Sequence, residues 1–542
     1  MLANTTDAKH RQKSIDSIAS PLFDAPPDIS AITGPPIDLY EDGGYNDPVY
    51  QAKARILNRA IQDIGMGRYQ WYLFVVAGFG WFADSVWPLL SGLILTPVVN
   101  EFHFNGPFLS LASNVGLLVG AVFWGLGCDI WGRRWSFNIT LFIAGIFGLA
   151  AGGSPNFIAL ACLTAVVGVG VGGNMPVDSA VFLDFVPGSH QYLLTILSIW
   201  WCLGQLLSSL VAWPLIANYS CANASNCTKS NNMGWRYLLF TLGGITLFLW
   251  GIRFFVFTLL ESPRFLSGIG RDAEAVEVIH KLAKFNGRTS SLTVEELEAP
   301  GRAASARSSS QERRHILSKS SKYDPVHIKA LFATPKMAWS TSLLIAIWGI
   351  IGLASTLYNN FLPYLLSSRG AVFGDGSLSI TYRNQVILSV VGVPAALLAG
   401  WAVELPYIGR KGTLAIASGE RLHYSTTSRK NKGLTGAFLF ATTVARTSNQ
   451  LLAWNCGYVF FSNIMYGVLY AISPEIFPAK DRGTGNGLTS TAARMFGVLA
   501  PIIALYANLA TAVPVYIAGA LIIFAGSLAV LLPYEPRGKV SI

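Results

Sequence analysis

Charged residues are scarce in this sequence: Asp, Glu, Lys and Arg together make up 13% of its 542 residues. Soluble domains carry about 25%, so a water-exposed surface of this size could not be covered by so few charges. Hydrophobic residues make up 52%, and they include 15 Trp and 31 Phe. The composition therefore excludes an ordinary soluble protein and indicates one that crosses a membrane many times.

The sequence also lacks the residue patterns of a catalytic or cofactor-binding protein. Its six cysteines are scattered without zinc-type spacing, and its seven histidines lie in predicted loops or at the edges of apolar segments. It contains no nucleophile motif and no ATP-binding loop. The GVGVGG run at 168–173 lies in an apolar segment, where small residues allow close helix packing rather than dinucleotide binding. We therefore expect no enzyme activity, no cofactor and no metal site.

Twelve apolar segments are long enough to cross a membrane, since a span needs about 20 residues. They are 71–97, 109–127, 135–153, 157–181, 192–217, 235–260, 338–362, 384–403, 412–445 (interrupted), 451–472, 484–507 and 512–533. The sequence thus predicts an all-α membrane protein with twelve transmembrane helices in two six-helix halves, 71–260 and 338–533. An N-terminal arm (1–70), a central loop (261–337) and a tail (534–542) complete the chain.

Basic residues and glycosylation motifs orient the predicted spans. Lys and Arg are more frequent in the short loops on the side of both termini, which indicates that this side is cytoplasmic. The net charge of +10 therefore reflects membrane topology, and we expect no nucleic-acid partner. One polar loop on the other side carries three glycosylation motifs, at Asn218, Asn223 and Asn226. Cys221 and Cys227 lie in the same loop, and a disulfide between them suits an oxidising space.

Two amphipathic segments are predicted outside the spans. Residues 48–65 should form a helix against the inner membrane face. RDAEAVEVIHKLAKFNG (271–287) should form a short helix in the central loop. The serine- and arginine-rich segment 304–314 is either a flexible linker or a phosphorylation region.

The two halves repeat a short motif after their second spans, in predicted tight turns on the cytoplasmic side. Glycine allows close helix approach, the carboxylate can meet a helix N-terminus, and cations favour the cytoplasmic side. The motif residues are Gly125, Asp129, Gly132, Arg133 and Arg134 in the first half and Gly400, Glu404, Gly409, Arg410 and Lys411 in the second. A second pair follows spans four and ten, with Asp184 in DFVP and Glu475 in EIFP.

The spacing of these repeats is uneven. Gly132 and Gly409 are 277 positions apart, whereas Asp184 and Glu475 are 291 apart, so about 14 extra residues lie in the second half. The polar stretch 420–432 interrupts the ninth apolar segment there, and charges in hydrocarbon are costly. We interpret 420–432 as an insertion, such as a translated intron; a genuine loop beside a displaced ninth helix is the alternative.

Five segments, taken in order, indicate a family. They are AIQDIGMGRYQWYLFVVAGFGWFADSV (60–86), GLGCDIWGRR (125–134), GVGVGGNMPV (168–177), ESPRFL (261–266) and PEIFPAKDRGTGNG (474–487). With them the chain resembles the major facilitator superfamily, and within it the synaptic-vesicle-protein-like branch of sugar and organic-ion transporters. The resemblance implies alternating access, gating by the cytoplasmic turns and a cavity lined by spans one, four, seven and ten.

Three ionisable residues in the predicted spans are candidates for proton coupling: Asp84, Asp178 and Arg494. Asp84 matches a position where sugar-type relatives often place a coupling Asp; a neutral Asp bonded to a neighbouring helix is the alternative. Relatives usually carry an Arg where this chain has Thr164, so Arg494 of span eleven is a candidate partner. Asp178 either binds a cation or proton or caps a helix bend. Arg253 is expected to extend to the membrane surface.

A transport cavity needs polar and aromatic side chains that tolerate water when the site is empty. The candidates for substrate binding are Trp87, Asn174, Trp201, Gln205, Tyr358, Asn359, Asn455, Tyr458, Asn463 and Tyr466. Asn455, Tyr458 and Tyr466 can share one helix face. Helix–helix hydrogen bonding is the alternative for each of the ten.

These features predict a secondary active transporter that carries a small organic solute, sugar-like or an organic ion, by proton symport. An uncoupled facilitator and a non-transporting membrane sensor of the same fold are the alternatives. The expected partners are the solute, protons and the lipid bilayer, and the chain is expected to be a monomer. The plasma membrane is the favoured location, with a vacuolar or vesicle membrane as the alternative.

Overall fold

The computed structural model describes residues 48–221, 224–307, 328–329, 331–362, 366, 377–405, 408–418, 434–477, 482–506 and 512–533. Within these ranges the regular secondary structure is helical. The suspected insertion at 420–432 and the tail at 534–542 lie outside the described residues.

The first half contains six spans and the short helices that connect them. Its helices are α1 Pro48–Ile64, α2 Arg68–Leu93, α3 Leu95–Phe102, α4 Pro107–Trp131, α5 Arg133–Gly152, α6 Phe157–Val171, α7 Asn174–Phe185, α8 Leu193–Ile196, α9 Ile199–Tyr219 and α10 Gly234–Gly251, continued by a π-helix over Ile252–Val256. The central loop adds α11 Pro263–Gly268, α12 Asp272–Phe285 and α13 Val294–Arg307. Helix α13 was not predicted, and it extends into the segment expected to be flexible.

The second half contains the remaining spans. Its helices are α14 Pro335–Asn359, α15 Leu378–Ala402, α16 Gly409–Ser418, α17 Leu434–Thr443, α18 Ser448–Ile476, α19 Arg482–Tyr506 and α20 Val513–Val530. In the described part of the chain, eleven spans are long and apolar enough to cross a membrane. Helices α16 and α17 have ten residues each, or about 15 Å, so neither crosses alone. Both pack against α18 and α20, where a ninth span belongs.

Most observed helix ends lie within about four residues of the predicted ones, with a larger difference at the start of span eight. The first span, predicted at 71–97, ends at Leu93 and is followed by the separate helix α3. The eighth, predicted at 384–403, begins at Leu378. The Ser377 side chain accepts a hydrogen bond from the backbone N–H three residues later and caps this helix. A search for apolar segments does not detect the first turn of such a helix, because it includes polar residues.

Helix α1 buries its apolar face in protein, which corrects the expectation that this face lies on the membrane. Leu57, Ile61 and Ile64 are buried, and α1 packs against α11, α12 and α13. Lys53 of α1 also forms an ion pair with Asp272 of α12. An amphipathic pattern predicts a helix with one apolar side but does not say whether lipid or another helix covers it.

The bundle has two ends, which we name by their loops. The motif side holds the turns at Gly132 and Gly409, and the loop side holds residues 219–233. Both turn glycines have positive φ angles, 99° and 60°, a left-handed conformation that favours glycine. These residues let the chain reverse sharply after spans two and eight.

The two halves meet along two helix pairs, α4 with α19 and α9 with α15. Gly125 of α4 and Gly487 of α19 lie directly against each other, so a Cβ atom on either would clash with the backbone of the other. Gly400 of α15 packs closely against Ile196 of α8. Both close approaches lie toward the motif side, where they bring the halves together.

Candidate functional site

A cavity of about 140 Å³ lies between the two halves, well above the roughly 10–15 Å³ that a single water molecule needs. Its polar and aromatic lining consists of Ser85, Trp201, Gln205, Trp348, Ser355, Thr356, Asn359, Asn360, Gln385, Ser389, Tyr458, Ser462, Asn463, Tyr466, Tyr470, Ser490 and Arg494. These residues come from spans one, five, seven, eight, ten and eleven. Span four was expected in the lining but does not contribute to it in the described residues.

Six of the ten residues predicted to bind substrate line this cavity: Trp201, Gln205, Asn359, Tyr458, Asn463 and Tyr466. The other four lie outside its described lining. Trp87 packs against Gly148 within the first half, and Asn174 is fully buried at the start of α7. The Tyr358 hydroxyl donates to Asn455 Oδ1 at 2.6 Å, which is the helix–helix hydrogen bonding weighed as the alternative.

Aromatic side chains from both halves close the cavity toward the motif side. The ring centroids of Tyr470 and Trp348 are 4.4 Å apart, and those of Tyr470 and Trp81 are 5.3 Å apart. Trp201 and Tyr466 face each other across the halves with ring planes 16° apart. Sequence reasoning missed Trp348 and Tyr470, although Tyr470 is one helical turn beyond the predicted Tyr466.

Asp84 of α2 and Arg494 of α19 form an ion pair that joins the two halves. Arg494 Nη2 lies 3.1 Å from Asp84 Oδ2 and 3.4 Å from Oδ1. Asp84 is fully buried, whereas 17% of the Arg494 side chain is exposed where it lines the cavity. The partner charge thus comes from the second half, not from the position of Thr164 in the first.

Asp178 of α7 pairs with Arg253 of the π-helix, and both side chains are fully buried. The guanidinium carbon of Arg253 also lies 3.1 Å from the centroid of the Phe137 ring. The expectation that Arg253 extends to the membrane surface is therefore wrong. Its charge stays inside because Asp178 compensates it there, and an unpaired buried cation would be strongly destabilising.

On the motif side, Asp184 at the end of α7 gathers arginines from both halves. Arg133 pairs with it directly, and Arg264 of α11 and Arg482 of α19 have nitrogens 3.6 and 3.4 Å from its Oδ1. Burial lowers the pKa of Arg264 to about 10, so this residue stays protonated at neutral pH. Arg134, the next motif residue, is exposed. Within this group, Arg482 links the second half to the first.

Among the described residues, the equivalent group of the second half joins residues of that half. Arg410 has nitrogens 2.5 Å from Glu475 Oε2 and 3.5 Å from Glu404 Oε1. Lys411 donates to a backbone carbonyl near the end of α20. The side chain of Asp129, the acidic motif residue of the first half, lies outside what the structure describes.

The loop side carries the predicted modification sites. Cys221 and Cys227 are joined by a disulfide. Asn218 and Asn226 are exposed, and Asn223 lies outside the described residues.

A cluster of polar residues close to this loop was not anticipated from the sequence. Glu101 of α3 accepts hydrogen bonds from Arg236 at 2.7 and 2.9 Å, from Asn232 at 2.9 Å and from Trp235 at 3.0 Å. Burial acts to raise the pKa of Glu101, but these donors outweigh it and hold the pKa below its usual range. The cluster ties the connection between spans one and two to the start of span six.

The family model described as "Sugar (and other) transporter" matches residues 107–534. MFS siderochrome iron transporter 1 of Ceriporiopsis subvermispora is 70% identical to this chain, over 94% of the chain and 95% of the relative. Major facilitator-type transporter hxnZ of Emericella nidulans is 40% identical, over 92% and 90%. Synaptic vesicle 2-related protein of Rattus norvegicus, from the branch that the sequence resembles, is 24% identical over 89% and 81%.

Solved structures agree with the fold. The proton:xylose symporter XylE bound to 6-bromo-6-deoxy-D-glucose matches with a TM-score of 0.63 at 18% identity, over 87% of this chain and 98% of that one. The inward-open xylose transporter XylE from E. coli matches with a TM-score of 0.58 at 17% identity, over the same shares. These likenesses confirm the predicted all-α, twelve-span architecture. With the family match and the 70% identical relative, they establish that the chain belongs to the sugar (and other) transporter family of the major facilitator superfamily.

Proposed function

We propose that this chain is a secondary active transporter that moves a small organic solute by proton symport, with Asp84 as the proton carrier and Arg494 as its partner. The observation that carries the proposal is the ion pair between these residues, 3.1 Å long, beside the cavity. Alternating access requires the halves of such a protein to change their contact around a central site. This pair is part of that contact.

Proton binding can act on the halves through this pair. Protonation of Asp84 removes the negative charge that faces Arg494, and Asp84 is fully buried. Removing one partner's charge from a buried pair costs about 3–5 kcal/mol. An energy of this size can change the balance between two arrangements of the halves. Because Arg494 also lines the cavity, solute and proton meet at one residue.

The proposed solute is a small organic molecule. Aromatic and amide side chains in the cavity suit a ring or a polar solute. Relatives are named for a siderochrome at 70% identity, for niacin at 25% (Acinetobacter baylyi) and for an organic cation or carnitine at 25% (Arabidopsis thaliana). These names agree on membrane transport and disagree on the cargo, so the proposal takes the transport alone from them.

We further propose that the motif side faces the cytoplasm and that the protein acts as a monomer in the plasma membrane, with both termini inside. The Lys and Arg bias supports this orientation, and so do the disulfide and the exposed Asn218 and Asn226 on the loop side. Glycosidase treatment should then increase gel mobility. The variant with all three motif asparagines replaced by Gln should show no such shift.

Uptake measurements test the transport mechanism. Cells expressing the chain or its Asp84→Asn variant would be offered labelled sugars, carboxylates, organic cations and phosphate at acidic and neutral external pH. We expect uptake of one class that is faster at acidic pH and is lost in the variant. The control is Glu101→Gln, which removes a carboxylate far from the cavity and should keep the pH dependence.

Two other outcomes would contradict the proposal. Equal uptake by Asp84→Asn would identify an uncoupled facilitator. Solute binding without flux, from protein at the cell surface, would identify a sensor, and deletion of residues 290–322 should then abolish its signal.

A further inference from the structure

We infer that the solute bound in the cavity is a small aromatic carboxylate, held by Arg494 while Asp84 carries a proton. The inference rests on the proposed function and names the class of solute that the same site would take.

The charge that faces the cavity has one sign. Among the described lining residues, Arg494 is the one that is charged at neutral pH, and the others are polar, aromatic or apolar. Asp84 lies behind Arg494 and is fully buried. Asp178 and Arg253 form their own pair away from the lining. These four residues are two acidic and two basic ones, but only the cation of Arg494 lies where a solute can contact it.

Arg494 has donors left for a ligand. Its Nη2 makes both hydrogen bonds to Asp84, which is its single acceptor in the described part of the chain. A guanidinium has five N–H donors in a planar fork. The exposed 17% of the side chain faces the cavity. A solute carboxylate there can accept two parallel hydrogen bonds, the geometry in which Arg binds carboxylates best.

Charge balance couples this anion to a proton. Two carboxylates around one guanidinium would leave a net negative charge in a buried site, which is unfavourable. If Asp84 gains a proton as the solute binds, Arg494 is positive, the solute negative and Asp84 neutral. The loaded site then has the same net charge as the empty ion pair, so the halves can change arrangement without moving net charge through the site.

Other charged or titratable groups close to this pair do not replace Asp84. They are Asp178, Arg253, Tyr466 and Tyr470. Asp178 and Arg253 neutralise each other. Phenols are already protonated near neutral pH, since their ordinary pKa is about 10. Asp84 is therefore the carboxylate that takes up the proton.

The walls around Arg494 favour a flat ring. Trp201 and Tyr466 both line the cavity, with ring centroids 6.4 Å apart and ring planes 16° apart, and Tyr470 and Trp348 close it on the motif side. Aromatic rings stack or pack edge-to-face at centroid distances of about 4.5–7 Å. A carboxylate attached directly to a ring can thus reach the guanidinium while the ring contacts these walls.

Three probes of one size test the inference: benzoate, benzamide and benzylammonium, with glucose as a sugar probe. Binding to the purified full-length chain would be measured by competition with labelled benzoate and by calorimetry. Benzoate should bind about tenfold or more tightly than benzamide, since a hydrogen bond to a charged group is worth that much. Benzoate affinity should fall as pH rises, with about one proton taken up per benzoate in weakly buffered solution. These comparisons use the unmodified protein.

Three variants locate the effect. Arg494→Gln should lose the preference for benzoate over benzamide, and Arg494→Lys should keep part of it, because the charge remains without the planar fork. Asp84→Asn should bind benzoate but without the pH dependence or the proton uptake. Asp84→Asn binding that still takes up a proton would overturn the assignment of the proton to Asp84.

The outcomes separate this inference from the proposed function. Tighter binding of benzamide, benzylammonium or glucose than of benzoate would overturn the inference. Proton-dependent uptake of that favoured probe would then leave the symport mechanism standing. Benzoate binding with proton uptake, but without flux into vesicles, would support the inference and overturn the proposed function. Absence of binding for all four probes would overturn the inference.

Discussion

Glu101 receives hydrogen bonds from three side chains of residues 232–236, and this fixes its charged form. Its pKa lies below the usual range in the folded protein, whereas an unfolded Glu titrates near 4.3. The cluster therefore stabilises the fold above that pH, and its contribution disappears as pH falls through the folded-state pKa.

We expect Glu101→Gln to lower the free energy of unfolding at neutral pH by about 1.5–3 kcal/mol, because Arg236 loses its charged partner. Below about pH 4.3 the difference should shrink, and it should vanish once the pH falls below the folded-state pKa, where wild-type Glu101 is protonated as well. Thermal unfolding of purified protein across this pH range measures both effects. If wild type and Glu101→Gln differ in stability by the same amount at all pH values, the charge of this carboxylate does not stabilise the fold.

The pair of Asp178 and Arg253 allows a different test, because both residues are buried away from the cavity. Asp178→Asn leaves a buried cation without its counter-ion and should cost about 3–5 kcal/mol of unfolding free energy. Asp178→Leu combined with Arg253→Met removes both charges and should recover most of that loss. Thermal unfolding measures the recovery. Proton-dependent uptake by the double variant then decides between structure and coupling: uptake without pH dependence would assign Asp178 to coupling.

At the scale of elements, the ninth span consists of two half-helices that abut. Thr435 Oγ1 of α17 donates to the Ala417 carbonyl of α16 at 2.5 Å, although the residues are 18 positions apart. Within one helix, a Thr hydroxyl bonds the carbonyl four positions earlier. Removing 14 residues would leave that separation of four, and 14 is also the excess in the repeat spacing. Two independent measures thus give the same length for the proposed insertion.

We expect a chain without residues 420–433 to form one continuous ninth helix and to fold at least as stably as the full chain. The matched control removes two residues more, 419–434, which rotates α17 by about 200° at 100° per residue and turns its packed face away from α18 and α20. Size-exclusion profiles and unfolding temperatures in detergent compare the two deletions. Equal loss of folded protein in both would contradict an insertion and favour a genuine loop.

The sequence predicts long elements well and their partners poorly. Spans such as 109–127 are found because about 20 apolar residues are needed to cross a bilayer. The helix at 48–64 was found from its period, but its partners α11–α13 were not, because an apolar stripe fits lipid and protein equally. Tyr358 and Asn455 look like substrate ligands in a list of polar residues. The hydrogen bond between Tyr358 and Asn455 is seen only when the packing of their two helices is known.

At the scale of the whole molecule, the proposed function depends on contacts between the halves that no local pattern encodes. Asp84 and Arg494 are 410 positions apart, so their pairing follows from the docking of α2 against the second half. Both residues were predicted to take part in proton coupling because charged residues are rare in membrane spans. The sequence alone could not distinguish Asp84 and Arg494 from Asp178 and Arg253, because that distinction depends on which charged residues lie beside the cavity.

A second contact between the halves lies on the motif side, where Arg482 reaches Asp184 across the interface. The ion pairs of Asp184 with Arg133 of the first half and Arg264 of the central loop do not involve the second half. Gly125 and Gly487 bring α4 and α19 into close contact at this end. Opening the cavity to the motif side therefore has to separate Arg482 from Asp184.

We expect Arg482→Gln to favour opening at the motif side by about 1.5–3 kcal/mol, the usual worth of a hydrogen bond to a charged group. Spin labels at two exposed positions would report longer distances between the halves: Lys281 on α12, which packs against α2 of the first half, and Ala333, just before α14 of the second half. The labels would be placed in a chain without the exposed Cys162. The control is Arg410→Gln, the same change in a residue whose described acidic partners, Glu475 and Glu404, belong to its own half. If both variants lengthen the distance equally, the motif-side charges stabilise each half separately, and the bridge between Arg482 and Asp184 does not act as a gate.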